Sequence, residues 1–213
     1  MILFIWDFHG VLEKDNEIAL AEQLNFILEK YGFGKRVSVA EALALSGRHY
    51  RQIFFDLCPG ITVEQAREMG NFAVSTGIEF ARRYVKPREH AIEVLRKIKE
   101  RGNINVVASN TAPKALKEYL KMTSLEEYVD VLFPVVCEHV DPESFSIHDY
   151  KLEKIRKFIK DEKFEKIKCV GDNEWDVEFG LKLGAETYLF VPNKLKLKTK
   201  AHHIISDLRE VLK

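Results

Sequence analysis

The chain has 213 residues, 46% of them hydrophobic, enough for one large domain or for a core with an inserted lobe. Lys+Arg and Asp+Glu both number 33, so the overall charge gives no draw toward nucleic acid or anionic lipid, and no apolar run reaches membrane-spanning length. Cys58, Cys137 and Cys169 are odd in number, far apart and without C-x-x-C spacing, which argues against a disulfide framework or zinc site and points to a reducing cytoplasm.

The N-terminal Met1-Ile2-Leu3-Phe4-Ile5-Trp6 is apolar but short, lacks a basic leader and runs straight into Asp7, so it reads as a buried strand and not as a signal peptide. The stretch from about 16 to 84 has helical spacing and no convincing strand. Ile18, Ala21, Leu24, Leu28 and Tyr31 recur at three and four residues, with Gly32 placed to stop the helix. Ser38-x-x-Glu41 and Thr62-x-x-Gln65 are capping boxes that predict further helices over 39–45 and 63–84.

From Pro87 the pattern becomes strand and helix in alternation. A helix carrying Ile92, Leu95 and Ile98 precedes the strand Ile104–Ala108, and a helix near 113–122 precedes the strand Val131–Val136. A helix near 151–161, opened by Lys151, leads to the strand Ile167–Val170, and a helix near 174–183 leads to the strand Glu186–Val191. A short strand at Ile204-Ile205 and a helix from Asp207 complete the series, while the polar segment Glu138–Asp149 reads as a loop. Near-continuous apolar strands joined by helices predict an α/β fold, a Rossmann-like parallel sheet core with helices on both faces. The expected division is a core of 1–14 and 86–213 with an inserted all-helical lobe of 15–85, the chain hinging near Glu13–Asn16 and Tyr84–Pro87.

In such sheets ligands sit beyond the carboxyl ends of the strands. The residues just past those ends are Asp7, Ser109-Asn110-Thr111 and Asp172-Asn173 with Asp176 close behind, together with Lys151. A carboxylate at Asp7 can accept a phosphoryl group as an acyl phosphate and split hydrolysis into two easier steps. Ser109 can donate to a non-bridging oxygen, and Lys151 supplies a positive point charge. Asp7 and Asp172 brought together would repel unless a hard cation lay between them, and Mg²⁺ with oxygen ligands suits that need. Taken singly, Asp172, Ser109 and Thr111 also read as helix caps. Lys151 stands among Lys154, Arg156, Lys157 and Lys160, a solvated helix face in which Lys154 competes for the same role. His202 and His203 would point to opposite faces of a strand and read as surface or packing residues; His139 and His148 flank the polar loop.

In that order, these strand ends resemble the haloacid dehalogenase superfamily across nearly the whole chain. Its D-x-D-G-[TV] motif is matched by Asp7-Phe8-His9-Gly10-Val11, its second-motif Ser or Thr by Ser109, its lysine by Lys151 and its G-D-x-x-x-D motif by Gly171-Asp172-Asn173-Glu174-Trp175-Asp176. The resemblance implies a Mg²⁺-dependent phosphatase with Asp7 as nucleophile and a metal site of Asp7, the His9 backbone carbonyl and Asp172, supported by Asp176. It makes the helical block a cap of the C1 type, whose loop Leu45-Ser46-Gly47-Arg48 faces substrate, so that Gly47, Arg48 and His49 join Asn110 as expected substrate contacts. Arg48 or Arg51 can pair with a carboxylate or a second phosphate, or simply face solvent. The expected partner is a small phosphorylated metabolite, with no nucleic acid or membrane, for a monomer or homodimer.

His9 departs from the pattern, because the family's phosphatases carry at that position an aspartate that protonates the leaving oxygen and later deprotonates water. An imidazole can in principle make both transfers, or the position is disabled. Two alternatives follow: a metal-independent 2-haloacid dehalogenase, in which halide leaves unprotonated, and a catalytically weak binder of phosphorylated ligands. The intact Gly171-Asp172 favours phosphoryl chemistry over dehalogenation, and Lys30 and Lys35 are poorly placed to form the Schiff base that carbon–phosphorus hydrolysis requires.

Overall fold

The computed structural model describes residues 1–134, 147–193 and 198–213, with 147–150 described as backbone alone. Val135 and Val136 of the expected strand, Cys137, and the segment from Glu138 to Ser146 with His139 lie outside the described residues, as does the side chain of His148. The chain divides into two compact units, one of Met1–Lys14 with Pro87–Lys213 and the other of Asp15–Lys86.

The elements run in the order β1 (Ile2–Trp6), β2 (Glu13–Lys14), α1 (Asn16–Lys30), α2 (Val39–Leu45), α3 (Tyr50–Leu57), α4 (Val63–Tyr84), β3 (Lys86–Pro87), α5 (Ala91–Glu100) and β4 (Ile104–Ala108). There follow α6 (Pro113–Met122), β5 (Val131–Phe133), α7 (Ile147–Asp161), β6 (Lys166–Gly171), α8 (Glu174–Lys182), β7 (Glu186–Phe190) and β8 (His203–Ile205). Six strands form one parallel sheet in the order β5-β4-β1-β6-β7-β8.

The alternation of side chains along β1 explains why both faces of this sheet are covered. Phe4 and Trp6 join one apolar cluster with Val94, Leu95 and Ile98 of α5 and Leu116 and Leu120 of α6. Leu3 and Ile5 join another with Leu152 and Ile155 of α7 and Phe179 of α8. Each fully buried side chain of this size contributes about 1.5–3 kcal/mol. The buried polar residue of β4, Asn105, is fully bonded: it accepts from the Trp6 indole at 3.1 Å and donates to the carbonyls of Leu95 and Tyr128 at 2.9 and 3.0 Å. Unpaired, such an amide would cost about 1–3 kcal/mol.

The second unit is built of the helices α1 to α4 and ends at Lys86, the first residue of β3. Leu24, Ile27 and Leu28 of α1 pack with Ile53, Phe54 and Leu57 of α3 and with Met69 and Ala73 of α4. Ser38 and Thr62 each cap their helix by accepting from the amide three residues on, and Glu41 and Gln65 return the bond. Gly32 takes φ +78° just past α1, a left-handed turn that costs a residue without Cβ little. The Tyr50 hydroxyl donates to Gln23, whose amide donates to the Ala73 carbonyl, so one polar chain joins α1, α3 and α4.

Four local expectations are corrected. Helix α3 was not foreseen, because its apolar residues Ile53, Phe54 and Leu57 span only two turns beside a loop-like Gly47-Arg48-His49. Helix α7 starts at Ile147, so Lys151 lies in its second turn and the end of the expected polar loop is helical. The helix from Asp207 is a 3₁₀ helix, Leu208–Leu212, too short for α-helical bonding to settle in. Finally, the alternative reading of Ser109, Thr111 and Asp172 as helix caps does not hold: Ala112 stands before α6 without a side-chain bond, and Asn173 caps α8 by accepting from the amides of Trp175 and Asp176. No helix among the described residues is long and apolar enough to cross a membrane.

Candidate active site

The register of the sheet assembles the site in the first unit. Trp6 pairs with Val107 on one side and with Val170 on the other, and the Asp7 amide prolongs the ladder by donating to the Val170 carbonyl at 2.9 Å. Asp7, Ser109 and Asp172 therefore leave three adjacent strands at one edge. Carboxylate oxygens of Asp7, Asp172 and Asp176 all lie within 4.8 Å of one another.

Two glycines make this convergence possible. A Cβ at Gly10, which has φ +77°, would lie 2.2 Å from Oδ2 of Asp172, and a Cβ at Gly171 would lie 2.0 Å from Cβ of Asp176. The Asp172 amide donates to Oδ2 of Asp176 at 3.3 Å, and the Asn173 amide group donates to Oδ1 of Asp172 at 2.8 Å.

Gathering three acids raises their proton affinity. Burial pushes the Asp7 carboxyl well above the ordinary range, and the charges of Asp176 and Asp172 push it further while Lys151 works against them. Asp176 is raised to about 6 by burial and by Asp172, again opposed by Lys151. Asp172 is raised chiefly by burial. Lys151 is 6% exposed, whereas Lys154 is exposed, so the cation acting on the acids is Lys151. Cys169, buried beneath, is pushed far up by burial and by Asp176 and Asp7, which keeps its thiol protonated and unreactive.

Ser109 is buried and turned into a local loop: its hydroxyl donates to Thr111 Oγ1 at 3.1 Å and accepts the Thr111 amide at 3.2 Å. His9 is partly buried. Nε2 meets Thr111 Oγ1 at 2.9 Å, Nδ1 meets Glu13 Oε1 at 3.1 Å, and Phe8 and Tyr119 present their rings edgewise at 5.2 and 4.9 Å.

Glu13 figured in the sequence reading only as the edge of a hinge, and Arg88 not at all. Glu13 is 1% exposed and also accepts the Gly10 amide at 3.0 Å. Arg88 donates to the carbonyls of Gly10 and Glu13, both at 3.0 Å, and so fixes the loop after β1. The available signal was a lone acid in Gly10-Val11-Leu12-Glu13, four residues after His9.

Asn110 is exposed at this edge. Gly47, Arg48 and His49 belong to the other unit, where Gly47 adopts φ +78°, Arg48 pairs with Asp56 and His49 precedes α3. His202 and His203 are structural: the former meets Thr187 Oγ1 at 2.8 Å, and the latter meets Glu186 at 2.9 Å and stacks on Tyr188.

Residues 4–190 match the family of haloacid dehalogenase-like hydrolases. The chain belongs to that family. A curated relative named as a candidate pyrophosphatase PpaX, from Caldanaerobacter subterraneus subsp. tengcongensis, is 29% identical over 135 residues, a stretch covering 62% of this chain and 59% of the relative. Among solved structures, a haloacid dehalogenase superfamily hydrolase of subfamily IA from Geobacter sulfurreducens superposes with TM-score 0.71 at 20% identity, covering 100% of this chain and 95% of its own. A candidate phosphoglycolate phosphatase from Haemophilus somnus superposes with TM-score 0.76 at 16% identity, covering 99% and 96%. At these identities the structural likeness is one of fold, and it agrees with the parallel sheet described above. The protein is thus a hydrolase of the haloacid dehalogenase superfamily.

Proposed function

We propose that this hydrolase is a Mg²⁺-dependent phosphatase that acts on a small phosphorylated metabolite through an aspartyl phosphate at Asp7. The observation that carries the reading is the meeting of three carboxylates within 4.8 Å, each with raised proton affinity. Acids so arranged repel one another, and an all-oxygen donor set suits a hard divalent cation. Asp7 and Asp172, with the His9 carbonyl and support from Asp176, would hold the ion. When bound, it neutralises phosphate charge and that of the acids.

In this reading an Asp7 carboxylate oxygen attacks phosphorus and the bond to the leaving oxygen breaks. Water then attacks the acyl phosphate, releasing inorganic phosphate and restoring Asp7. Lys151 balances charge on the nucleophile and the transferring group, while Ser109 and the amides after β4 serve the non-bridging oxygens. His9 gives a proton to the leaving oxygen and later takes one from water, through Nε2 once that atom leaves Thr111. Asn110, exposed beside Ser109 in the first unit, is the substrate contact in this reading. The relatives named for pyrophosphate and phosphoglycolate chemistry support a small phosphorylated substrate.

The test is hydrolysis of p-nitrophenyl phosphate with Mg²⁺, with EDTA, and by Asp7→Asn, beside halide release from chloroacetate. Turnover that needs both the metal and Asp7 is expected. Halide release indifferent to EDTA would overturn the reading in favour of dehalogenation.

A further inference from the structure

We propose that Glu13 is a positioning residue that holds the His9 imidazole in one tautomer, with its hydrogen on Nδ1 and its lone pair on Nε2. The proposal rests on the phosphatase reading for its consequence in turnover, but its structural content stands on the hydrogen bonds alone.

A carboxylate only accepts hydrogen bonds, so the 3.1 Å contact between Glu13 Oε1 and Nδ1 requires the hydrogen on Nδ1. In the neutral ring Nε2 is then an acceptor, and it meets the Thr111 hydroxyl at 2.9 Å. That hydroxyl already accepts from Ser109, which leaves its own hydrogen for His9. The bonds form one directed chain from Ser109 through Thr111 and His9 to Glu13, and each donor in it has one acceptor. Which nitrogen of a histidine carries the hydrogen is set by what the other nitrogen meets, and here both ends agree.

Stability alone is a poor explanation of Glu13. The side chain is 1% exposed, and its second oxygen, Oε2, is buried and meets no hydrogen-bond partner among the described residues. A buried carboxylate left half satisfied costs free energy that an apolar side chain would avoid. Both hydrogen bonds the side chain does make go to the loop after β1, to Nδ1 of His9 and to the amide of Gly10. Phe8 and Tyr119 pack against the same ring at near-perpendicular angles, 83° and 85°. Taking a proton from water needs the lone pair on Nε2, and giving one to the leaving oxygen needs the imidazolium with hydrogens on both nitrogens; Glu13 accepts from Nδ1 in either state and so leaves Nε2 to make both transfers.

The experiment has two independent arms. Long-range ¹⁵N–¹H correlation spectra of the Mg²⁺-loaded protein, assigned with His9→Asp, report which ring nitrogen of His9 bears hydrogen. Hydrogen on Nδ1 is expected in the native protein and its loss to Nε2 in Glu13→Leu; an Nε2–H ring in the native protein, or an unchanged pattern in Glu13→Leu, would overturn the assignment. In kinetics, Glu13→Leu is expected to lower kcat about 10–100-fold with KM within about twofold, and Glu13→Gln, which still accepts, to recover most of the loss. In a His9→Asp background the same change is expected to cost less than about threefold. Equal losses in both backgrounds would reduce Glu13 to a structural support. Should no variant hydrolyse p-nitrophenyl phosphate, the phosphatase reading fails while the spectra still decide the tautomer.

Discussion

Gly10 and Asp172 share a space that holds only one of a Cβ and a carboxylate, since a methyl group at residue 10 would stand 2.2 Å from Oδ2 of Asp172. That oxygen ends a side chain able to rotate, so Gly10→Ala should fold but turn Asp172 away, with a positive-φ penalty of about 1 kcal/mol. At Gly171 the obstacle is Cβ of Asp176, which rotation cannot move. Gly171→Ala should therefore destabilise by more, about 2–4 kcal/mol. Thermal melts and Mg²⁺ titration calorimetry separate the two: near-native melting with at least tenfold weaker Mg²⁺ binding for the first, and a lowered melting temperature for the second.

Metal-free protein should show a stability maximum on the acid side. Asp7 and Asp176 take up protons more readily folded than unfolded, Asp176 at about 6 against an ordinary 3.8, so stability rises as pH falls from above 6 toward 4. Glu186 and Asp207 act oppositely. Hydrogen bonds from Lys166, His203 and Tyr188 outweigh burial and hold Glu186 at about 2, and Arg209 holds Asp207 at about 2, so their contributions fade as pH drops from the ordinary carboxylate range toward 2. Melting temperatures in EDTA from pH 8 to pH 3 check both limbs; a monotonic fall from pH 8 would contradict the first.

Mg²⁺ should stabilise most where the acids are ionised. At about 100 times its dissociation constant a ligand adds about 2.7 kcal/mol, roughly 5–10 °C for a chain of this size. The shift should be largest near pH 8 and shrink by pH 5.5. A pH-independent shift would place the ion elsewhere.

Asp7→Asn removes a buried charge from the cluster and with it the proposed nucleophile. The variant should lose at least about 10³-fold in kcat yet melt higher than the native protein in EDTA at pH 8. Lower melting would show that Asp7 is better compensated than its raised proton affinity implies.

Lys151→Met leaves the acids without their buried cation. It should destabilise the metal-free protein by about 3–5 kcal/mol at pH 8 and by much less at pH 5.5, where the acids are partly protonated. Lys154→Ala, at an exposed position, should stay within about 0.5 kcal/mol. Urea titrations at the two pH values distinguish these outcomes.

The parts of the protein that were legible in the sequence are those governed by neighbours along the chain. The boxes Ser38–Glu41 and Thr62–Gln65 place helix starts because the bonding groups lie three residues apart. The apolar strands Ile2–Trp6 and Ile104–Ala108 announce a sheet covered on both faces, and the spacing of Asp7, Ser109 and Asp172 announces one reactive edge because each follows a strand directly. Helix α3 escaped notice because two turns carry too little periodicity to outweigh a loop-like start. Tertiary structure alone decided which neighbours those strand ends would have. Packing buries Lys151 and not Lys154, brings Asp176 against Gly171, and closes Glu13 and Thr111 around His9 from positions four and 102 residues away. Hydrogen bonds and charge interactions act across a few ångströms whatever the separation along the chain, so sequence supplied the groups and the sheet register set their chemistry.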